Sequence, residues 1–467
     1  MYKLEFTLKQ HTPIIHFQHD QEGATLRATE LKPKLDRFLI EKFKLTEIDS
    51  NQKEVPKGEF KHYFINGGKQ HLALDYKVRI EPNKSSTYYL PLANSLYSKK
   101  YPNKEANVKN YIQSHIIHKF DFQYLAPTPF FSNSDKIKFS QQSDQVENIN
   151  VKELEFATLE KSEIQCSVQS YQLTLIEKIS ESIQTFFVLQ NFGKRQNKGF
   201  GSYSILKINN RNTLKSINEL ILELYKDTFI VAGYKNENKL ELNKIFENID
   251  EVWKILKSGK NHNGYEKSDL FNYFYTKSPK VRWEKRAIKK QIKETYPDVF
   301  SALKYDQNSP ENRILTVEDK ENTHFYLRGL LGLAEYFEFG TKNSKDKVLV
   351  KISDALSDSE NAMNEEMAID RFKAPITFKI IENSIYLLVF KIPNDLVFSD
   401  VKQKRKFNFK LKSMINNREL NESLESLEMP EYFKVSEFLD SMKIETNTGN
   451  ATSESVAKYH GFTKITP

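Results

Sequence analysis

The chain has 467 residues, 39% of them hydrophobic, with 33 Phe and 23 Tyr, so two to three domains with packed cores are affordable. A net charge of +8 is only mildly basic, and polyanion binding has to be argued from local clusters of cations. Cys166 is the single cysteine, which excludes an intrachain disulfide and a cysteine-based zinc site. No run of about 18 apolar residues that could span a bilayer is present, so a soluble, cytoplasmic protein with no membrane partner is expected.

Tyr2, Leu4, Phe6 and Leu8 alternate with Lys3, Glu5, Thr7 and Lys9, predicting a strand over 2–9 rather than a signal peptide. His11, Thr12 and Pro13 break it. Leu31, Leu35, Phe38, Leu39 and Phe43 recur at helical spacing; Thr29 or Glu30 begins this helix, and Pro33 is tolerated only in its first turn. Leu72, Leu74, Tyr76, Val78 and Ile80 predict a second strand. Residues 111–120 read equally well as a short helix or a strand. Residues 130–165 are polar and read as an insertion with weak strands. Tyr171, Leu173 and Leu175 alternate as a further strand, and Ile179, Ile183, Phe186 and Phe187 follow at helical spacing. A glycine-cation run over 191–203 leads into a last strand, Phe200 to Ile208. Strand, helix, strands, helix, strand is the βαββαβ plan of a ferredoxin-like, RRM-like domain over residues 1–210.

Residues 211–300 read as mostly helical, on the apolar stripe of Leu220, Leu224, Ile245, Ile249, Val252, Trp253 and Leu256. Leu315 to Leu333 opens a second αβ region. Residues 354–370 are acidic and polar, which predicts a mobile loop. Ile376, Phe378 and Ile380 pair with Tyr386, Leu388 and Phe390 as a hairpin turning at Glu382, Asn383 and Ser384. The last 50 residues turn acidic and helical and then become a polar tail. Residues 301–467 are therefore expected to form a second ferredoxin-like domain, giving an α+β chain of two such domains with helical insertions.

The run over 191–203 is the most informative segment. Gly193, Gly199 and Gly201 bracket Lys194, Arg195 and Lys198. Glycines let a backbone turn tightly and approach another polymer, and cations beside them favour a phosphate backbone. The competing reading is a solvated turn with surface lysines. Arg27, Lys32, Lys34 and Arg37 surround the first helix and are either part of the same basic surface or a solvated helix face. Two further clusters mix cations with aromatic residues. Residues 277–294 hold eight Lys or Arg against two Glu, around Trp283; residues 402–412 hold six cations and no acid, around Phe407 and Phe409. These rings either stack on unpaired bases or belong to the core.

His11, His16 and His19 lie close together and invite an acid-base role, but no partner that would orient an imidazole is recognisable. Asp20 and Glu22 add nothing to that case. His16 with His19, or His115 with His118, lacks a third metal ligand at a recognisable spacing. Neither a metal nor a nucleotide cofactor is implied.

Three stretches sharpen the reading: His-Thr-Pro-Ile at 11–14, Leu-Arg-Ala-Thr-Glu-Leu-Lys-Pro at 26–33, and Arg-Gly-Leu-Leu-Gly-Leu at 328–333 followed by Arg-Phe-Lys-Ala-Pro-Ile-Thr-Phe at 371–378. With the glycine loop and its flanking helix and strand, they resemble the RAMP superfamily of CRISPR-associated proteins. Within it they resemble the first RAMP subunit of the Cmr (type III-B) effector module. The resemblance covers the first 45 residues, 170–208 and 325–392. It implies two ferredoxin-like domains and a non-catalytic RNA-binding subunit of an RNA-guided antiviral defence complex. Such a subunit caps the end near the 3′ part of the guide, touching guide RNA, target RNA and other RAMP subunits. Arg328, Arg371 and Lys373 join the RNA-facing candidates, alongside Gly199 and Gly201 of the loop; Arg371 and Lys373, which precede a strand, face either RNA or a neighbouring subunit. Gly329 and Gly332 read as packing glycines at least as well as ligand contacts. Two alternatives stay open: a metal-independent endoribonuclease that matures guide RNA through one of the three histidines, and an adaptor that binds only protein.

Overall fold

The structure, a computed structural model, describes residues 1–15, 25–50, 53–81, 87–91, 138–139, 146–148, 156–209, 214–237, 242–261, 265–304, 323–333, 336–343, 346–358, 369, 372, 374–382, 384–393, 398–400, 403–415, 418–442 and 462–466. It is a mixed α+β chain in two compact units. The first comprises Met1–Glu251, Thr377–Leu388 and His460–Pro467; the second comprises Val252–Ile376 and Val389–Tyr459.

The first unit is built on β1 (Tyr2–Gln10), α1 (Ala28–Phe43), β2 (Lys77–Glu81), β3 (Ile164–Ser170), α2 (Leu173–Leu189) and β4 (Tyr203–Ile208). The strands form one sheet in the order β4-β1-β3-β2, every neighbouring pair antiparallel. The period-two pattern of β1 buries Leu4, Phe6 and Leu8 and leaves Lys3, Glu5 and Lys9 exposed. The buried stripes of both helices meet in an aromatic cluster. Phe187 lies 6.0 Å from Phe6, 5.3 Å from Phe186 and 5.8 Å from Phe192, and Phe38 lies 5.6 Å from Phe186. Next come α3 (Ile217–Lys226), started by a capping box between Ser216 and Glu219, and β5 (Ala232–Glu237). A second four-stranded sheet in this unit runs in the order Ile376–Ile381, Ser384–Val389, β5, Phe462–Lys464.

Several elements differ from the sequence reading. Pro33 lies inside α1, past its first turn, because the helix begins at Ala28. The ring has no N–H to give the Thr29 carbonyl, so the helix forgoes one bond there. The apolar alternation at 72–80 yields a strand only from Lys77; Leu74 instead makes a single bridge to Phe64. The strand before α2 is Ile164–Ser170, and Leu173 and Leu175 already belong to the helix. Its buried positions are Ile164, Cys166, Val168 and Ser170, a pattern in which small and polar residues dilute the apolar signal. Residues 111–120 and most of 130–165 and 354–370 lie outside the described residues.

The second unit contains β6 (Val281–Trp283), α4 (Glu284–Thr295), β7 (Thr323–Phe325), β8 (Tyr336–Phe339), β9 (Lys347–Asp354), β10 (Lys406–Ile415) and β11 (Arg418–Glu428). They make one six-stranded sheet in the order β6-β7-β11-β10-β9-β8. The pairs β6–β7 and β7–β11 are parallel, unlike the wholly antiparallel neighbours of the first sheet. Residues 418–428, expected to be helical, form the eleven-residue strand β11, and within the last 50 residues the described helix is Val435–Ser441. A cross-strand partner decides this: β10 and β11 pair antiparallel along most of their length.

Phe187 is fully buried among Phe6, Phe186 and Phe192. Phe187→Ala is expected to cost about 3–5 kcal/mol in urea unfolding, the range for emptying an aromatic site in a close-packed core. A loss below about 1 kcal/mol would contradict this packing.

Candidate nucleic-acid interface

The loop between α2 and β4 starts where a strongly apolar helix ends. The Gln190 N–H closes the last turn on the Phe186 carbonyl, and the chain reverses with Gly193, Gly199 and Gly201 at φ of 78°, 88° and 65°. Arg195 also sits at φ 57°, a conformation disfavoured for a residue with a side chain. The glycines are required by space as well as by φ. A Cβ on Gly201 would lie 1.9 Å from the Phe192 carbonyl oxygen, and one on Gly193 would lie 2.6 Å from that of Ile15. A Cβ on Gly199 would meet the Ile380 Cδ1 at 2.8 Å.

The loop backbone is bound into the fold. The Gly193 N–H donates to Glu30 Oε1 at 2.6 Å and that of Lys194 to the Ile15 carbonyl at 2.7 Å. Those of Gly201 and Ser202 donate to the Pro13 carbonyl and to Thr12 Oγ1, each at 2.8 Å. Thr12 Oγ1 donates in turn to the Gly199 carbonyl at 2.7 Å. The Phe378 N–H donates to the Asn197 carbonyl at 3.0 Å, and the Asn191 side-chain amide donates to the carbonyls of Phe378 and Gln196. The reading in which these amides grip an RNA backbone is thus corrected. The amides of Gly193, Lys194, Gly201 and Ser202 are already spent on the protein, and the glycines are packing glycines. What the loop can offer a ligand is its side chains, and 194–198 are all partly accessible. Lys198 Nζ lies 3.9 Å from Asp250 Oδ1.

The cations of α1 divide in the same way. Lys34 Nζ donates to Glu30 Oε1, the Asn191 carbonyl and Gln196 Oε1 at 3.2, 3.0 and 3.1 Å, and lies 4.7 Å from the centre of the Phe192 ring. Burial lowers its pKa, with Glu30 opposing the shift. Lys32 donates to Asp36 Oδ2 and the Leu74 carbonyl at 2.7 and 2.9 Å and sits over the Tyr76 ring. Both are anchors. Arg37 is exposed, and Arg27 is the N-cap residue of α1. Behind the loop, Lys379 is wholly buried and donates to the Gln190 carbonyl at 2.8 Å; burial, and then Lys34, hold its pKa well below the usual lysine value.

His11 is a satisfied residue. Its Nδ1 accepts from the Glu382 N–H at 3.1 Å, which places the proton on Nε2, 2.7 Å from Ser204 Oγ. Burial, then Lys379 and Lys9, press its pKa down to about 3. His16 and His19 lie outside the described residues, as do His115, His118, Asp20, Glu22, Arg371 and Lys373. Among the described residues no group of three or more His, Cys, Asp or Glu is placed to hold a metal ion, and no helix is long and apolar enough to cross a membrane.

The open face of the first sheet is charge-balanced. Lys3 pairs with Glu5 at 2.5 Å, Arg79 with Glu81 at 2.6 Å and Lys207 with Glu163 at 3.4 Å. In the second unit, Arg328 forms an ion pair with the fully buried Glu284 beneath the ring of Phe337. Trp283 stacks 5.6 Å from Phe271. Burial and then Arg328 lower Lys285 to about 8. Phe407 and Phe409 are core residues at 1% exposure, edge-on to Tyr326, and Arg405 is buried against Asp354. For Phe407 and Phe409 the core reading replaces base stacking, while Trp283 is only partly buried.

Residues 1–260 match the family model described as the Cmr1 N-terminal domain, and residues 265–461 match that of the Cmr1 C-terminal domain. No curated protein matches the chain. Among solved structures, the crystal structure of Cmr1 from Pyrococcus furiosus in its apo form is similar. It is 11% identical, with 100% of this chain and 99% of that chain covered and a TM-score of 0.38.

Two outcomes check the site. Gly201→Ala is expected to destabilise by about 2–4 kcal/mol through the clash and the positive φ, whereas Gly58→Ala, with nothing within 4 Å, should be near neutral. For His11, both states are neutral above pH 6.5. Below it the unfolded chain takes up a proton that the folded chain refuses until about pH 3, so stability falls as pH falls through that window. In His11→Gln the slope of unfolding free energy between pH 6 and 4 should be smaller by up to about 1.4 kcal/mol per pH unit. Equal slopes would refute the buried, neutral imidazole.

Proposed function

Since the chain belongs to the Cmr1 family, and hence to the subunits of type III-B Cmr complexes, we propose that it is a non-catalytic RNA-binding subunit. In this reading it caps the complex near the 3′ part of the guide and touches guide and target RNA. Sequence is read by guide–target pairing, and the protein contributes phosphate contacts. The observation that carries the reading is the rigidity of the glycine loop. Backbone bonds to the segment after β1, to α1 and to Phe378 fix the turn, so the partly accessible Lys194 and Arg195 stand on a frame that needs no ordering when a polyanion arrives. The antiparallel β4-β1-β3-β2 order, with a helix after β1 and another after β3, supports a ferredoxin-like first domain. The second such domain is proposed from family resemblance, as a divergent version of the plan.

The state of His11 favours a binder over a ribonuclease. A general base or acid needs a pKa near neutrality and a nitrogen facing substrate, and both His11 nitrogens are engaged internally.

Purified protein is expected to bind single-stranded RNA with an affinity that falls with salt, by about 0.7 logarithmic units per phosphate contact. Joint replacement of Lys194, Arg195 and Lys198 by Ala should weaken binding and flatten that slope; an unchanged slope would remove the loop from the interface. Labelled repeat RNA incubated with the protein without metal should stay full length. A discrete cut, lost on replacing one of His11, His16 or His19, would replace the binder with an endoribonuclease.

A further inference from the structure

The second unit's sheet has a face unlike that of the first. On β9 and β10 the side chains alternate strictly. Val348, Val350, Ile352, Phe407, Phe409 and Leu411 are buried, and Lys347, Lys351, Lys410 and Lys412 are exposed. The register places Lys351 directly opposite Lys410, and Lys412 one step along the same face opposite Leu349. On the neighbouring edge strand β8, exposed Tyr336 pairs with Lys351. One row across the sheet therefore reads Tyr336, Lys351, Lys410, Ser423, and the next reads Glu338, Leu349, Lys412, Asn421.

Adjacent strands are about 4.8 Å apart, so the ring and two ammonium groups line up over roughly 10 Å. Like charges directly opposite each other destabilise an antiparallel pair unless a counter-charge lies between them. The sheet supplies none nearby. Among the described residues no ion pair involves Lys347, Lys351, Lys410 or Lys412, whereas Lys404, Lys406 and Lys434 are paired with Glu431, Glu428 and Glu437. The acids of this face, Glu338, Glu419 and Glu428, stand opposite Leu349, Met414 and Lys406, and Glu428 is taken up by Lys406. An exposed ring beside a row of unneutralised cations on a flat sheet suits a single-stranded nucleic acid, with phosphates on the lysines and a base on the ring.

We propose that the open face of the second unit's six-stranded sheet, centred on Tyr336, Lys351, Lys410 and Lys412, is a binding platform for single-stranded RNA. It is separate from the glycine loop and rests on the RNA-binding reading above. The lysines hold successive phosphates, and Tyr336 stacks on one base at the edge of the sheet.

The test uses the full-length protein and a fluorescein-labelled 30-nucleotide oligouridylate, titrated by anisotropy at several salt concentrations. Three variants are compared with the wild type: Lys351→Gln/Lys410→Gln/Lys412→Gln, Tyr336→Ala, and the loop triple Lys194→Ala/Arg195→Ala/Lys198→Ala. The sheet triple should bind about tenfold more weakly or worse, with a salt slope shallower by about 1.4–2.1 units for two or three lost contacts. Its Tm should stay level or rise, because the change removes a repulsion. Tyr336→Ala should lose affinity at least about fivefold, the lower bound for one stacked base, with the salt slope unchanged. If the sheet triple binds like the wild type while the loop triple is impaired, this platform is wrong and the RNA-binding reading stands. If the wild type binds no RNA, that reading falls and the platform with it. A sheet triple that keeps its RNA affinity but no longer joins its neighbouring subunit would assign the face to an acidic protein and overturn the proposal.

Discussion

The first unit depends on a single carboxylate placed at a crowded junction. Glu30 Oε1 accepts from the Gly193 N–H and from Lys34 Nζ, so one oxygen of α1 ties the start of the glycine loop to the helix and neutralises the lysine that binds its middle. A charge-assisted bond of this kind is stronger than a neutral one, and here it is mostly shielded from water. Around it the loop is held to the segment that follows β1, through Thr12, Pro13 and Ile15, and to the strand Ile376–Ile381 through Phe378. Removing the carboxylate would leave an amide and an ammonium group buried without it, a larger loss than the bond itself.

This junction sets two lysines beside one carboxylate. Burial, and then Lys34, lower the pKa of the wholly buried Lys379, and burial lowers that of Lys34, with Glu30 opposing the shift. His11 beside Lys379 is kept neutral for the same reason. For a lysine with a lowered folded pKa the unfolded chain binds the extra proton, so the unit gains stability as pH rises towards the ordinary lysine value of about 10.4. The arrangement is a costly one for a structural core.

The two sheets use one rule, alternation, for different ends. The first sheet's outer face neutralises itself through short acid–lysine and acid–arginine pairs. The second sheet's outer face sets lysine against lysine. On the first sheet an acid stands two residues along the same strand from its cation, whereas on the second unit's sheet the cross-strand register sets Lys351 against Lys410 with no such partner.

The sequence by itself determined β1, the helix carrying Leu35 and Phe38, the hairpin turning at Glu382, and the glycine-cation loop, because each rests on local periodicity or on a residue with a special backbone preference. It also carried the family resemblance. It did not determine β3, whose buried positions include Cys166 and Ser170, nor that 418–428 would be strand, since pairing with β10 overrides an acidic, helix-favouring composition. At the site, the cations were legible and their roles were not. Lys32, Lys34 and Arg328 were RNA-facing candidates, and each also binds a partner within the fold, while Lys351, opposite Lys410, drew no attention. A lysine's letter is the same whether it binds a carbonyl in the core or waits in solvent. Which of these it does is set by partners as far as 189 residues away, as between Lys379 and Gln190, and those are assigned only when the chain closes on itself.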